Sequence, residues 1–235
     1  MKKVNWVGIL PFYLLTVIGI LALSIGGSRA VTVIGQNTPV RRDNRIVIDA
    51  GHGGIDGGAT SCTGVRESKL NLEIALRLDA LLHLLGMDTV MIRSSDTSIY
   101  TEGNTIAAQK VSDLKERIRI VQETDQALLI SIHQNTFSDP QYSGAQVFYA
   151  DDPQSRKMAD ILQQALTQTL NSGSRRKSKK ADGIYLMQQI DKVGVLVECG
   201  FLSNPQEEAK LRSAEYQKKL CCVIASGISS YVNIG

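Results

Sequence analysis

The 235-residue chain holds only 5 prolines, 3 histidines and 4 cysteines, and aromatic residues make up 5% of it. With 43% hydrophobic residues, 21% charged residues and 20 glycines, that scarcity of proline excludes a collagen-like, low-complexity or wholly disordered chain. No C-x-x-C pair is present, so zinc-ribbon and thiol-redox signatures are missing. Cys221 and Cys222 are adjacent in a helical pattern and point in different directions; with Cys62 and Cys199 they read as free, mostly buried thiols. No repeat or second block of composition marks a further domain, and the length suits one α/β core. Net charge is only +3, and Lys2, Lys3 and Arg29 account for it: without them 23 Lys and Arg face 23 Asp and Glu. The mild basicity therefore belongs to the N-terminus and does not indicate a nucleic-acid partner.

That N-terminus carries no charge from Val4 to Ser28 and is rich in Leu and Ile. The run exceeds the ~7 to 15 apolar residues of a cleaved signal peptide and approaches the ~20 that span a bilayer, while Ser28 and Ala30 supply a small-residue cleavage site. Residues 1–30 thus read as a signal peptide or signal anchor, with cleavage and anchoring both open. Pro11, Gly19 and Gly26-Gly27 suit a buried core helix poorly. Residues 31–44 read as a linker and 45–235 as the folded domain, which export places outside the cytoplasm, secreted or tethered to the membrane by the leader alone.

Within the folded domain, short apolar runs at Ile46–Ile48, Thr89–Ile92, Leu128–Ile132, Ala145–Tyr149 and Val195–Val197 read as five core strands. Helical spacing separates them. Leu70, Ile74, Leu78, Leu81, Leu82 and Leu85 share a face that stops at Gly86. A second helix is expected to begin at Asp113, with Glu116 completing a capping box and Leu114, Ile118 and Val121 buried. A third carries Met158, Leu162 and Leu166, a short one starts at Asn204-Pro205, and the last runs from about Ala214 to Tyr231. Alternating strands and helices predict one α/β domain, a largely parallel twisted sheet with helices on both faces. Ligands of such sheets sit beyond the carboxyl ends of the strands.

Three of those ends carry chemistry. The first strand runs into Asp49-Ala50-Gly51-His52-Gly53-Gly54-Ile55-Asp56-Gly57-Gly58. A dinucleotide loop would need glycine where Asp56 stands, so the glycines instead allow a sharp turn that holds His52 at the mouth of the sheet. The third strand ends in His133, so two of three histidines fall at equivalent positions. Two imidazoles and a carboxylate are a common ligand set of catalytic zinc, and Glu67, soon after the His52 loop, is the natural third; packed histidines and a helix-start glutamate are the plainer alternative. The fifth strand ends at Glu198, whose ionised form needs a partner, either a structural Arg or Lys or a cation with its water. His83, amid leucines in a helix, reads as a partly buried structural histidine. Arg175-Arg176-Lys177-Ser178-Lys179-Lys180 reads as a solvated loop able to attract an anionic polymer; without interleaved aromatics it offers nucleic acid no stacking platform.

Ordered blocks now become visible: Ile48 to Gly54, Glu67 with Leu70-Asn71-Leu72, Arg93 with Asp96, Arg117, Ser131 to Asn135, Gly144, and Leu196 to Asn204. Through them Arg45 to Val232 resembles the zinc-dependent N-acetylmuramoyl-L-alanine amidases of bacterial cell-wall metabolism. The resemblance implies His52, Glu67 and His133 as zinc ligands and Glu198 as the catalytic acid and base. It implies cleavage of the amide between the lactyl group of N-acetylmuramic acid and the L-alanine of the stem peptide. A leader followed by a bare catalytic domain is most similar to the germination-specific spore-cortex branch, the CwlD type, which strips stem peptides so that muramic-δ-lactam can form. That branch implies cortex peptidoglycan as partner, action between the forespore membranes, and room for an accessory protein beside a monomeric catalytic domain. A vegetative wall amidase, a zinc peptidase cutting within the stem peptide and a non-catalytic wall-binding module are the competing readings. Val193-Gly194 stands where many relatives have proline, a departure that bears on local rigidity.

Overall fold

The computed structural model describes residues 44–234. The expected leader and all of the linker except Asn44 lie outside the described residues. Arg45–Ala50 (β1), Asp88–Met91 (β2), Ala127–Asn135 (β3), Gln146–Tyr149 (β4), Lys179–Lys180 (β5) and Val193–Phe201 (β6) form one sheet in the order β2-β1-β3-β6-β4-β5. The pairs β2-β1, β1-β3, β3-β6 and β4-β5 are parallel, and β4 runs antiparallel to β6. All five expected strands are present. The sixth, β5, comes from the basic run, whose Lys179 and Lys180 pair with Phe148 and Tyr149.

Central strands buried on both faces must be apolar throughout, and Ile46-Val47-Ile48 and Leu128-Leu129-Ile130 are. Alternate residues face opposite layers. On one side Ile46, Ile48, Ile130, Ile132, Val195 and Val197 pack against Glu67–Leu84 (α1), Pro153–Leu170 (α3) and Ala214–Ile234 (α6). On the other, Val47, Leu129 and Leu196 pack against Ile106–Glu123 (α2) and the short Tyr185–Gln189 (α4). Pro205–Leu211 (α5) follows β6. Among the described residues no helix is long and apolar enough to cross a membrane.

Helix ends follow local chemistry. After α1, Gly86 takes φ +75° and donates its N–H to the His83 carbonyl at 3.0 Å. Asn204 caps α5 by accepting from the N–H groups of Gln206 and Glu207. The second helix corrects the expectation, for it starts seven residues before Asp113, where the Thr105 side chain accepts from Ala108 N–H at 3.2 Å. Asp113 lies inside the helix because its carboxylate is claimed by Ile99 N–H of the preceding loop at 2.7 Å and by Arg117 Nε one turn along the helix at 2.6 Å. At the departure from relatives, Gly194 donates its N–H to Ser155 Oγ at 2.8 Å, a bond that holds this strand start without proline. The four cysteines are free, two buried (Cys199, Cys221) and two exposed (Cys62, Cys222), so burial is less general than expected.

Candidate active site

The loop after β1 is built for close approach. His52 adopts φ +61°, a left-handed conformation uncommon outside glycine, and Gly53 and Gly54 continue at +139° and +56°. A Cβ on Gly51 would fall 2.1 Å from His133 Nε2, and one on Gly58 would fall 2.6 Å from Glu67 Oε2. Only glycine lets these backbones pass the imidazole and carboxylate. Two buried arginines hold the turn from beneath. Arg93 donates to the carbonyls of Ala50 (2.7 Å), Gly51 (3.1 Å), Ser68 (2.8 Å) and Ser95 (2.9 Å). Arg117 donates to the carbonyls of Ala50 (3.0 Å) and His52 (2.7 Å) and pairs with Asp49. Burial opposes ionisation of Asp49, but Arg117 and the Ser131 hydroxyl at 2.6 Å override it and hold the carboxyl below its usual range.

Glu67, at the first turn of α1, is buried between the two histidines. Its Oε1 lies 2.9 Å from His133 Nδ1 and its Oε2 3.3 Å from His52 Nε2. Ala59 N–H, Gln134 N–H and Asn71 Nδ2 also donate to the carboxylate, at 2.9, 3.1 and 3.3 Å. Burial disfavours the charge, yet the imidazoles and these donors push the pKa well below normal. The imidazole rings meet edge to face with centroids 4.9 Å apart. One ligand atom from each of His52, Glu67 and His133 lies within 4.8 Å of the other two. Two imidazole nitrogens and one carboxylate oxygen converging from different chain segments fit a zinc ion in donor chemistry and count.

The other nitrogen of His52 is also engaged. Nδ1 lies 2.9 Å from Asp56 Oδ2, and Asp56 Oδ1 pairs with Lys110 Nζ of α2 at 2.8 Å. Without a metal, burial would lower the His52 pKa, but Glu67 and then Asp56 raise it to about 9. Asp56 and Lys110 went unnoticed as site residues in the sequence. The one signal was an acid four residues after His52; Lys110 is 54 positions further along and carries none.

Glu198 pairs with His133 in the β3–β6 register, which places the two side chains on the same face of the sheet. Among the described residues no Arg or Lys, the alternative reading of this position, pairs with it, and its buried Oε2 has no hydrogen-bond partner. Burial, with a smaller push from Glu67, raises its pKa to about 7 against the pull of the imidazoles. A cavity of about 200 Å³ opens beside His52 and His133, walled by Ile55, Leu114, Ile184 and Tyr185, with Lys110 at its side.

His83 is apart from this cluster. It is exposed, not partly buried, because it lies on the outer face of α1, 2.8 Å from Thr89 Oγ1 and 3.5 Å from Asp79. The basic run is solvated as expected, with Arg175, Lys177, Lys179 and Lys180 exposed. Half-buried Arg176 donates to the Ser143 carbonyl at 3.1 Å, the Lys177 carbonyl accepts from Gln146 Nε2 at 2.7 Å, and Lys180 pairs with Asp151 at 2.6 Å.

An α/β sheet that gathers two imidazoles, a buried carboxylate and a second, unpartnered carboxylate at its strand ends defines a hydrolytic enzyme. Residues 46–230 match the N-acetylmuramoyl-L-alanine amidase family, and the chain belongs to it. It is 39% identical over 188 residues to the germination-specific N-acetylmuramoyl-L-alanine amidase of Bacillus subtilis, covering 79% of this chain and 78% of that one. The amidase AmiA of Escherichia coli is 28% identical, with coverage of 79% and 75%. Among solved structures, the CwlD amidase of Clostridioides difficile, determined in complex with the GerS lipoprotein, superposes with a TM-score of 0.78 at 35% identity, covering 82% of this chain and all of that one. The chain is an N-acetylmuramoyl-L-alanine amidase acting on peptidoglycan.

Proposed function

We propose that His52, Glu67 and His133 hold a catalytic zinc ion, that Glu198 is the acid and base of the reaction, and that the substrate is spore-cortex peptidoglycan. The observation that carries the chemistry is the partnerless Glu198 Oε2 beside the three converging ligands. Bound zinc would supply Lewis acidity, easing deprotonation of water and polarising the scissile carbonyl. Glu67 stays ionised because three donors and two imidazoles stabilise its charge. Asp56 accepts from His52 Nδ1–H and so leaves the Nε2 lone pair facing the cluster. Glu198 Oε2 takes the proton of the attacking water and returns it to the departing nitrogen. The water oxygen bonds to the carbonyl carbon as the C–N bond breaks, leaving a carboxylate on the lactyl group and, with both water protons on the nitrogen, an ammonium on L-alanine. Burial already raises the Glu198 pKa in the metal-free fold, which suits a carboxyl group that must both accept and return a proton.

The cortex assignment is supported by the similarity to the germination-specific amidase and the CwlD amidase. It places the enzyme outside the cytoplasm, between the forespore membranes, where stripped muramic acid is converted to its δ-lactam. An accessory lipoprotein is a natural partner, since the CwlD amidase was solved with one. The test is mass spectrometry of muropeptides after incubating the zinc-supplied full chain with cortex peptidoglycan. Released intact stem peptides support the reading, and fragments cut within the peptide would instead indicate a zinc peptidase. Spores of a deletion strain should lack muramic-δ-lactam; normal lactam content there would contradict the cortex role and point to the vegetative wall.

A further inference from the structure

The catalytic cluster leaves unexplained a group of aromatic rings beside it. Phe137 and Tyr142 are 52% and 43% exposed, in a chain with few aromatics to spare. Their ring centroids lie 4.7 Å apart with planes at 71°, and Tyr142 stands 6.2 Å from the buried ring of Phe201. The Arg176 guanidinium covers Phe201 at 5.2 Å. The backbone under the exposed pair is tied down. Phe137 N–H donates to Ser203 Oγ at 3.1 Å, and the Tyr142 carbonyl accepts from Asn204 Nδ2 at 3.3 Å. Two rings held rigidly in water, in contact with each other, form a surface poised for an apolar face of a ligand.

Sheet register fixes where this surface stands. The segment carrying both rings leaves β3 just after His133 and enters β4 at Gln146, which pairs with Glu198. Asn135, two residues before Phe137, pairs with Phe201. The loop therefore passes the carboxyl end of β6, three residues beyond Glu198, on the β4 side of the site. The 200 Å³ cavity lies on the other side, toward α2 and α4.

The amide assigned to this site joins an acyl group carried by a sugar to a peptide, so two chemically different arms must leave the reacting bond in different directions. A pyranose presents a face of C–H groups that stacks on aromatic rings, with hydroxyls at its rim for polar neighbours. Three of the five Arg176 N–H groups are spent on the Ser143 carbonyl and the Gln146 side chain, which tie the guanidinium to this loop. We propose that Phe137 and Tyr142 form the glycan subsite, stacking against an amino-sugar ring of the strand, so that the stem peptide runs into the cavity flanked by Ile55, Leu114 and Lys110. This rests on the amidase reading and gives the substrate a direction across the site.

The test uses the zinc-supplied full chain carrying Glu198→Gln, titrated in a calorimeter with a peptide-free tetrasaccharide of alternating N-acetylglucosamine and N-acetylmuramic acid, and separately with the free stem peptide. Adding Phe137→Ala or Tyr142→Ala should weaken saccharide binding about five- to tenfold each and leave peptide binding unchanged. Phe137→Trp should retain saccharide binding and controls for a disturbed loop. Absence of saccharide binding by the parent, parental affinity in the double alanine variant, or a loss confined to the peptide overturns the proposal. Failure of the amidase reading looks different: saccharide binding would persist while the chain with native Glu198 released no stem peptide.

Discussion

Replacing Asp56 by alanine tests the proposed zinc site through a residue that would not itself touch the ion. Asp56 is 2.9 Å from His52 Nδ1 and is itself held by Lys110 at 2.8 Å and Gly58 N–H at 3.3 Å. On the proposed zinc it would have two opposing effects. It fixes the His52 tautomer and raises the basicity of Nε2, which is worth about 10- to 100-fold in metal affinity at comparable sites. It also helps hold a proton on His52 in the metal-free protein, where the pKa is about 9. Zinc would have to displace that proton, which at pH 7 costs about two pH units, roughly 3 kcal/mol, and nothing above the pKa. The sign follows. Wild-type affinity should rise close to tenfold per pH unit from 7 to 9 and then level off. Asp56→Ala should bind zinc about 10- to 100-fold more weakly above pH 9, with the gap narrowing toward pH 7 because its His52, with a lower pKa, gives up the proton at smaller cost. Competition for zinc with a coloured chelator across that range reads both quantities without any turnover assay. Equal affinities for the two proteins above pH 9 would refute the reasoning.

Other consequences follow from the same contacts. Glu198 has its pKa raised in the metal-free fold, so the folded state binds its proton more tightly than the unfolded chain does. It therefore destabilises the metal-free protein as pH rises from about 4.5 to about 7, by up to roughly 3 kcal/mol. Glu198→Gln should accordingly raise the metal-free melting temperature at pH 8 and leave it nearly unchanged at pH 4; no gain at pH 8 would show that the carboxylate is not strained by burial. Gly51→Ala drives a methyl into the His133 ring. It should cost most of the zinc affinity while circular dichroism remains that of the folded chain, and a variant that binds zinc normally would mean the loop is freer than described.

How much of this could be read in the residues depended on how local each signal is. The five core strands were visible because parallel strands buried on both faces must be apolar without interruption, as Ile46-Val47-Ile48 is. His52, His133 and Glu198 were visible because each follows such a run at its carboxyl end, and Glu67 because it opens the first long helix soon after the His52 loop. Tertiary partners erased the other signals. Asp113 looks like a helix cap until Ile99 and Arg117 claim its carboxylate. Lys179 and Lys180 have nothing of a strand about them and pair only because Phe148 and Tyr149 present a free edge. The Lys110–Asp56–His52 chain joins residues whose relation exists only once α2 lies beside the β1 loop.

The central claim is that three residues hold zinc and a fourth moves the proton. Metal analysis and turnover of Glu198→Gln, compared with His133→Ala and the unaltered chain, separate these roles directly. The account predicts that Glu198→Gln retains one equivalent of zinc and releases no stem peptide from cortex peptidoglycan, whereas His133→Ala loses both. Loss of zinc from Glu198→Gln, or undiminished release of stem peptide by it, would contradict the account.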